Sequence, residues 1–518
     1  MELTQEQIDI VNTVHDEEPI IKINAYAGTG KTTTLVEVVK EIRKVDPDSK
    51  VLYLVFNKMM AQEAASKFDG LGVSCFTAHA FALRRLRSLG EAVDVVNEFE
   101  FNTEFFKLKA KEWKYKYVSY KKCKLLMEVY TAVRDHMDQF LEDTRLFGIG
   151  DTHFGKTDLE FFRLVYDSLL EQRKYTHGMY LKEYAINYCD RIKEYDYVLL
   201  DEAQDLNPFM LDIVQRIERK KLYVVGDNYQ QIYAWNNAVN SMEEYEGKLY
   251  PLSKSFRFNS EIKDIADLIL QLQDSYRYSE HKISNVHNET DYDDSKVAIL
   301  FRTNATMLSK AIEIVVNGND RVKVHFMNMI NGGEANNFNE AFVEMLEFTK
   351  VLLEGCYGKN SPIVQEFNNK FPVNSTSKLI KSYKKLAESE NFRSLYEYLL
   401  TNSDVLSSEY SRYWSIFKLL GKNIVETLER VRRAELTQDF DKEYVLCTAH
   451  RAKGSEWPYV VISPDSWKIN DGDEANLLYV ACTRAMRKLD YSGIEYLLDY
   501  IKERIEEKER KFQLIGEV

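Results

Sequence analysis

Proline and glycine are scarce in this 518-residue chain, at 8 and 21 residues, and no Pro-rich or Ser/Gly-rich stretch and no internal repeat marks a linker. Domain borders must therefore be read from hydrophobic periodicity. The six cysteines (Cys75, Cys123, Cys189, Cys356, Cys447 and Cys482) form no CxxC pair, which argues against zinc, an iron–sulfur cluster and a disulfide framework, and buried structural thiols are expected. No run of about 18 apolar residues occurs, and the amino terminus, MELTQEQIDI, lacks a basic region followed by an apolar one. Neither a membrane span nor a signal peptide is expected, and the reducing interior of the cell is the expected place of work: the cytoplasm in a bacterial or phage setting, the nucleus in a eukaryotic one. Positive charge is also short, with a formal net charge of −13. That does not exclude a nucleic-acid ligand, because binding depends on the local field in a groove rather than on the whole-chain sum.

What is present is an ordinary globular composition, 45% hydrophobic and 29% charged, in a chain longer than one hydrophobic core usually supports. Residues 1–90 alternate short apolar runs (PIIKINAYA, KVLYLVFN, GVSCFTAH) with helical stretches such as TTTLVEVVKEIRK, the pattern of strand–helix units around a parallel sheet. Residues 91–178 change to long amphipathic patterns rich in Lys, Tyr, Phe and Glu, so a helical insertion is expected there. The alternation resumes over 179–250 with DYVLLDEAQD and KLYVVGDNYQQIYAWN, completing in space a sheet interrupted in sequence. A second alternating unit starts over 251–328, around KVAILFRTN, gives way to a mainly helical stretch at 329–438, and resumes over 439–518 with EYVLCTAH, YVVISPD and LLYVACTRAM. The expected fold class is α/β, with two parallel-sheet domains each carrying a mostly helical insertion.

Two segments carry chemistry by their residue types alone. After the strand pattern ending at Ala25, the residues Ala27-Gly28-Thr29-Gly30-Lys31-Thr32, with Thr33 next, open a helix. Small residues let backbone N–H groups approach a polyphosphate, the helix N-terminus favours negative charge, Lys31 can reach the β/γ-phosphates, and the Thr32 hydroxyl can ligate Mg2+. Ala25 stands where the strict pattern GxxxxGK[ST] has its first glycine. The second segment, Tyr197-Val198-Leu199-Leu200-Asp201-Glu202, delivers two carboxylates at the end of an apolar run, the place where a doubly wound sheet lines its ligand crevice. Asp201 is the expected metal ligand, and Glu202 the residue that orients or deprotonates a water. An isolated Asp-Glu is usually a solvated turn; the buried strand before it argues otherwise.

Taken in order, AYAGTGKTTT, LVFNKMMAQEA, FTAHAFA, LLDEAQD, VVGDNYQQIYAWNNA, LSKSFRFNSEI, CTAHRAKGSEWPYVV and LLYVACTRAM resemble the motif series of UvrD/Rep-type superfamily 1 DNA helicases. THGMYLKEY, together with AYAGTGKT, resembles the F-box DNA helicase subgroup, although no F-box is recognised here. The resemblance implies two RecA-like motor domains, ATP and Mg2+ as cofactors, and 3′-to-5′ movement on single-stranded DNA. It places Gln7 at the adenine edge, Phe256 against the base in a position where tyrosine is common, and Glu456 on the ribose. Gln230 would sense the γ-phosphate, and Arg257 and Arg484 would be contributed from the second motor domain to stabilise charge on the transferring phosphoryl group. Phe56, Asn57, His79, Tyr233, Trp235, Thr448 and His450 match positions that line the DNA track, where aromatic stacking tolerates any base. One departure concerns coupling: Gln231 replaces the usual serine, and Asn236-Asn237 follow Trp235 where Arg-Gly is common.

Outside the motifs, Lys107 to Lys124 holds eight lysines against the single Glu112, interleaved with Trp113, Tyr115, Tyr117 and Tyr120. A solvated helix face and a nucleic-acid contact are both open for it. The partners implied are single-stranded DNA and duplex junctions, with a repair, recombination or nuclease protein as the protein partner, and the chain itself as a monomer or weak oligomer. Two other activities stay open: a DNA-stimulated ATPase that strips protein from DNA, and the motor subunit of a nuclease or defence complex. No nuclease-like acidic cluster follows the last motif, so any cutting would need a partner.

Overall fold

The computed structural model describes residues 2–516 except 56–57, 97–102, 116–119, 150–151, 191, 207, 233–240, 287–290, 319–320, 328–339, 374–377, 437–439, 465–466, 468 and 470–471. The chain divides into two compact units, Met1–Ser253 and Lys254–Val518. In the first, the strands are β1 (Ile20–Ala25), β2 (Val51–Val55), β3 (Val73–Thr77), β4 (Asp94–Val95), β5 (Lys174–Tyr175), β6 (Tyr197–Leu200), β7 (Lys221–Gly226) and β8 (Lys248–Leu252). Six of them form one sheet in the order β3-β2-β6-β7-β1-β8, and all its pairings are parallel. Strands buried on both faces have no polar side to show, which is why β2, β6 and β7, buried along their whole length, read as continuous apolar runs. One face, with Ile21, Ile23, Tyr53 and Val225, packs on Leu35, Val38 and Ile42 of the helix Lys31–Val45. The other, with Leu52, Leu54, Val198 and Val224, packs on Phe81, Phe209 and Met210.

The expected insertion leaves the sheet after β3 and its helix. It contains the helices Thr103–Glu112, Tyr120–Tyr130, Met137–Phe147 and Lys156–Glu171, and its base is closed by the parallel pairs Asp94↔Lys174 and Val95↔Tyr175. The unit ends at Ser253 rather than at residue 250 because Pro251 and Leu252 still pair with Asn24 and Ala25 of β1.

The second unit holds β9 (Lys254–Ser255), β10 (Ser284–Asn285), β11 (Lys296–Phe301), β12 (Val322–Phe326), β13 (Lys442–Thr448), β14 (Trp457–Ile462) and β15 (Ala485–Asp490). Five form a parallel sheet in the order β12-β13-β11-β14-β15. Between β12 and β13 come the helices Glu340–Tyr357, Pro362–Lys370, Lys378–Ser389, Leu395–Leu399, Ser408–Leu420 and Ile424–Leu436, whose apolar faces join one core with Val297, Ile299 and Leu446. The architecture is the one expected, two RecA-like parallel-sheet domains each interrupted by helices. Among the described residues no helix is long and apolar enough to cross a membrane.

Candidate active site

All strands of the first sheet run the same way, so the turns after β1, β6 and β7 lie side by side at its carboxyl edge. The turn after β1 is the glycine loop. Gly28 and Gly30 have φ of 75° and 80°, conformations that a side chain would strain, and the Thr29 hydroxyl ties the loop by donating to the Tyr26 carbonyl at 2.8 Å. Ala25, in place of the pattern's first glycine, is the last residue of β1 and extended, so the strand needs no glycine there. Lys31 opens the following helix, with Thr32 and Thr33 on its first turn.

Below the loop, Lys31 Nζ meets Glu202 Oε1 at 2.7 Å. Burial alone would lower the lysine pKa; the Glu202 and Asp201 carboxylates outweigh it and hold the ammonium above its ordinary value. Asp201, 1% exposed, accepts the Tyr53 hydroxyl on Oδ2 at 2.6 Å and the Glu202 N–H on Oδ1 at 2.9 Å. Burial, reinforced by Glu202 and opposed by Lys31, pushes its carboxyl above the usual range, and burial beside Asp201 likewise raises the Tyr53 phenol. Glu202 itself sits at φ 53°, a left-handed backbone that a non-glycine residue adopts at a cost of about 1–2 kcal/mol. Gln204 donates to Glu202 Oε2 at 2.6 Å, and Gln230 donates to Asp227 Oδ2 at 2.8 Å.

Gln7 lies beside this site with both ends of its amide engaged. Its Oε1 accepts the Thr4 N–H in a capping box, and its Nε2 donates to Thr34 Oγ1 at 3.1 Å on the phosphate-loop helix. Among the described residues no group of three or more His, Cys, Asp or Glu forms a metal cage. The hydroxyl of Thr32 and the carboxylate of Asp201 are instead the donor types of a Mg2+ that completes its shell with substrate oxygens and water.

In the second unit the chain brings together Arg257, Glu456 and Arg484 from three segments. Arg257 Nε lies 2.8 Å from Glu456 Oε2, and its Nη1 donates to the Thr483 carbonyl at 3.2 Å. Arg484 is 1% exposed and turns inward, donating to the Val480 carbonyl at 2.9 Å and to the Ser455 carbonyl at 3.4 Å. Phe256 is half-buried next to Arg257.

Of the track residues, Phe56, Asn57, Tyr233 and Trp235 lie outside the described residues. His79 follows β3 on the helix Ala78–Ser88, edge-on to the rings of His177 and Tyr180 at 6.1 and 6.0 Å. Burial, aided by His177, lowers its pKa to about 4. Thr448 ends β13, and His450 on the next turn is likewise held below its ordinary value by burial and the nearby Arg302 guanidinium. Arg302 in turn pairs with Glu474 at 2.6 Å.

The lysine run lies in part outside the described residues, 116–119 among them. Trp113 and Tyr115 pack edge-on against the buried Phe161 at 5.8 and 5.4 Å, so these aromatics serve the core of the insertion. Lys109, Lys122 and Lys124 face Glu112, Asp158 and Glu128. Trp113 and Tyr115 follow the helix Thr103–Glu112, so the two rings that pack on Phe161 sit in the turn after it. Sequence reading also passed over Tyr53, Gln204 and Asp227. The last two stand inside motifs already singled out, and Tyr53 is the one hydroxyl in the apolar run VLYLV.

A glycine loop after β1, buried carboxylates after β6 and arginines on a second RecA-like sheet define the two-domain class of P-loop nucleoside triphosphatases. Comparison with known proteins narrows the class. The UvrD/REP helicase N-terminal domain matches residues 3–250, and the UvrD-like helicase C-terminal domain matches residues 444–489. The chain belongs to this UvrD-like superfamily 1 helicase family. It is 26% identical to F-box DNA helicase 1 of Gallus gallus over 96% of this chain and 50% of that protein. It is 25% identical to F-box DNA helicase protein 1 of Schizosaccharomyces pombe over 94% of this chain and 57% of that one. A probable DNA helicase II homolog of Mycoplasma pneumoniae is 22% identical over 89% of this chain and 80% of its own length. The chain thus spans about half the length of the two F-box helicases it resembles.

Proposed function

We propose that this chain is an ATP-dependent DNA helicase or translocase that hydrolyses ATP and moves 3′-to-5′ on single-stranded DNA. The observation that carries the reading is the Lys31–Glu202 pair, 2.7 Å apart, beneath a glycine loop and beside the buried Asp201. An ammonium and two carboxylates are costly to enclose without a task, and their place at the mouth of a phosphate-shaped turn supplies one. The three relatives described above, each named a DNA helicase, support the nucleic-acid half of the reading.

Mg2+, held by Thr32 and Asp201, would neutralise phosphate charge when bound. The protein's own groups do the rest. The loop N–H groups cradle the phosphates, and Lys31 exchanges its carboxylate partner for them. Glu202, released on that side, accepts the proton of the attacking water. Gln230 reports the state of the γ-phosphate, while Arg257 and Arg484 supply planar donors for charge spreading over the transferred group. His79 and His450, both neutral at pH 7 by their lowered pKa values, meet bases rather than phosphates.

The test is ATP hydrolysis with and without single-stranded DNA, beside strand displacement from 3′-tailed and 5′-tailed duplexes. Stimulated hydrolysis with displacement from 3′ tails is expected. Displacement from 5′ tails alone overturns the direction, and hydrolysis indifferent to DNA overturns the motor reading.

A further inference from the structure

Gln204 has no part in the chemistry above, yet its side chain is wholly buried and bridges two motifs. Its Nε2 donates to Glu202 Oε2 at 2.6 Å, and its Oε1 accepts the Asp227 backbone N–H at 3.1 Å. The orientation of the amide is dictated by its partners, since a carboxylate can only accept and a backbone N–H can only donate. The chain also keeps space for it. A Cβ built on Gly226, the last residue of β7, would lie 2.6 Å from Gln204 Oε1, closer than a real contact allows.

The hydrogen bonds continue on both sides. At one end Glu202 Oε1 meets Lys31, so both carboxylate oxygens are held. At the other, Asp227 Oδ1 accepts the Tyr229 N–H at 3.0 Å and Oδ2 accepts Gln230 Nε2 at 2.8 Å. In the chain, Gln230 is followed closely by Tyr233 and Trp235, the aromatics that match the DNA track. A carboxylate held at both oxygens by charge-assisted hydrogen bonds is less free to turn toward a water. Whatever displaces Asp227 and Gln230 must loosen the Gln204 amide, and with it the carboxylate.

We propose that Gln204 is a positioning residue that keeps Glu202 parked on Lys31 in the absence of DNA, so that DNA stimulation of hydrolysis is transmitted through its single amide group. The inference rests on the motor function proposed above. Gln204→Met keeps the length of the side chain and removes its hydrogen bonds to Glu202, to the Asp227 N–H and, at 3.5 Å, to Asp205. Gln204→Glu keeps the shape and loses the donor.

Steady-state hydrolysis of each purified variant, with and without saturating single-stranded DNA, reads the effect. DNA-free kcat should rise and DNA-saturated kcat should fall, shrinking the stimulation ratio about tenfold, while KM for ATP changes by less than about twofold. Gly226→Ala, which leaves the amide in place but crowds its oxygen, should shrink the ratio by a smaller factor, and decides the matter if Gln204→Met does not fold. Folded variants that slow in proportion with and without DNA, keeping the wild-type ratio, overturn the inference alone. A wild-type rate that ignores DNA overturns the motor reading and this inference together.

Discussion

The two units share an architecture but not the edge of the sheet on which their candidate residues sit. In the first, the glycine loop, Asp201, Glu202, Asp227 and His79 all follow strands and gather at the carboxyl edge. In the second, Thr448 ends β13 and His450 follows it, whereas Glu456 and Arg484 precede β14 and β15, whose starts are joined by the Trp457 N–H donating to the Arg484 carbonyl. Arg484 is therefore presented by a turn that leads into a strand, and Arg257, which follows β9 and leads into the helix Ser260–Leu270, reaches the same place through Glu456 and the Thr483 carbonyl. A parallel sheet offers two rims of turns. A phosphate favours the rim where helices begin, while a guanidinium on a long stem needs only an anchored backbone.

The comparison can be broken first at the carboxyl edge of the first unit. Lys31→Ala should lower turnover by about 10³-fold or more, and Glu202→Gln should retain ATP while losing turnover by about 10²–10³-fold. Near-normal rates at saturating ATP and DNA would strip the buried pair of its role. At the opposite rim of the second unit, Arg257→Ala should cost about 10²-fold in kcat with little change in unfolding midpoint. Arg484→Ala should add to its kinetic loss about 3 kcal/mol of stability, because a buried guanidinium that satisfies backbone carbonyls is removed. Denaturant unfolding of the two variants separates the half-buried donor from the fully buried one, and equal midpoints would erase the distinction.

A smaller effect is expected from Tyr53→Phe, which frees one oxygen of Asp201. The Mg2+ concentration for half-maximal hydrolysis should rise by up to about tenfold. An unchanged Mg2+ titration would make the phenol a packing residue. The smallest effect concerns pH. His79 titrates near 4 when folded, against 6.5 ordinarily, so between those values the unfolded chain binds a proton that the folded one refuses. Stability should fall as pH drops through that window, and His79→Asn should flatten the fall in an unfolding series. An identical slope in both proteins would show that burial of this ring is not felt.

Much of this was legible because phosphate chemistry restricts residue choice. Gly28, Gly30, Lys31 and the Asp201-Glu202 pair declare themselves by type and by the strand patterns before them. What periodicity could not supply was mutual placement. Tyr53 and Asp201 are far apart in sequence and meet only because β2 and β6 are neighbours in register, Tyr53 beside Leu199. The lysine run was not decided by sequence for a related reason. Alternating Lys with Trp and Tyr resembles a nucleic-acid face, yet it equally describes a segment in which Trp113 and Tyr115 pack on Phe161 while Lys109, Lys122 and Lys124 take carboxylate partners. The border of the first unit falls at Ser253 because β8, at the edge of the sheet, pairs with β1 through Leu252.

The position of β1 also bears on how such a chain is made. The strand that carries the phosphate loop emerges first, but Ile20 pairs with Leu222 and Ile21 with Lys248. At about 5–20 residues per second of synthesis, both of its neighbours arrive roughly 10–40 s after it does. Throughout that interval IIKINA is an apolar nascent segment with no sheet to join, and pairings this distant close slowly. The insertion is synthesised during the wait and has its own aromatic core, around Tyr130, Phe140, Phe162 and Tyr166. A ribosome-bound intermediate made of that helical core and an orphan strand is the species a chaperone would meet.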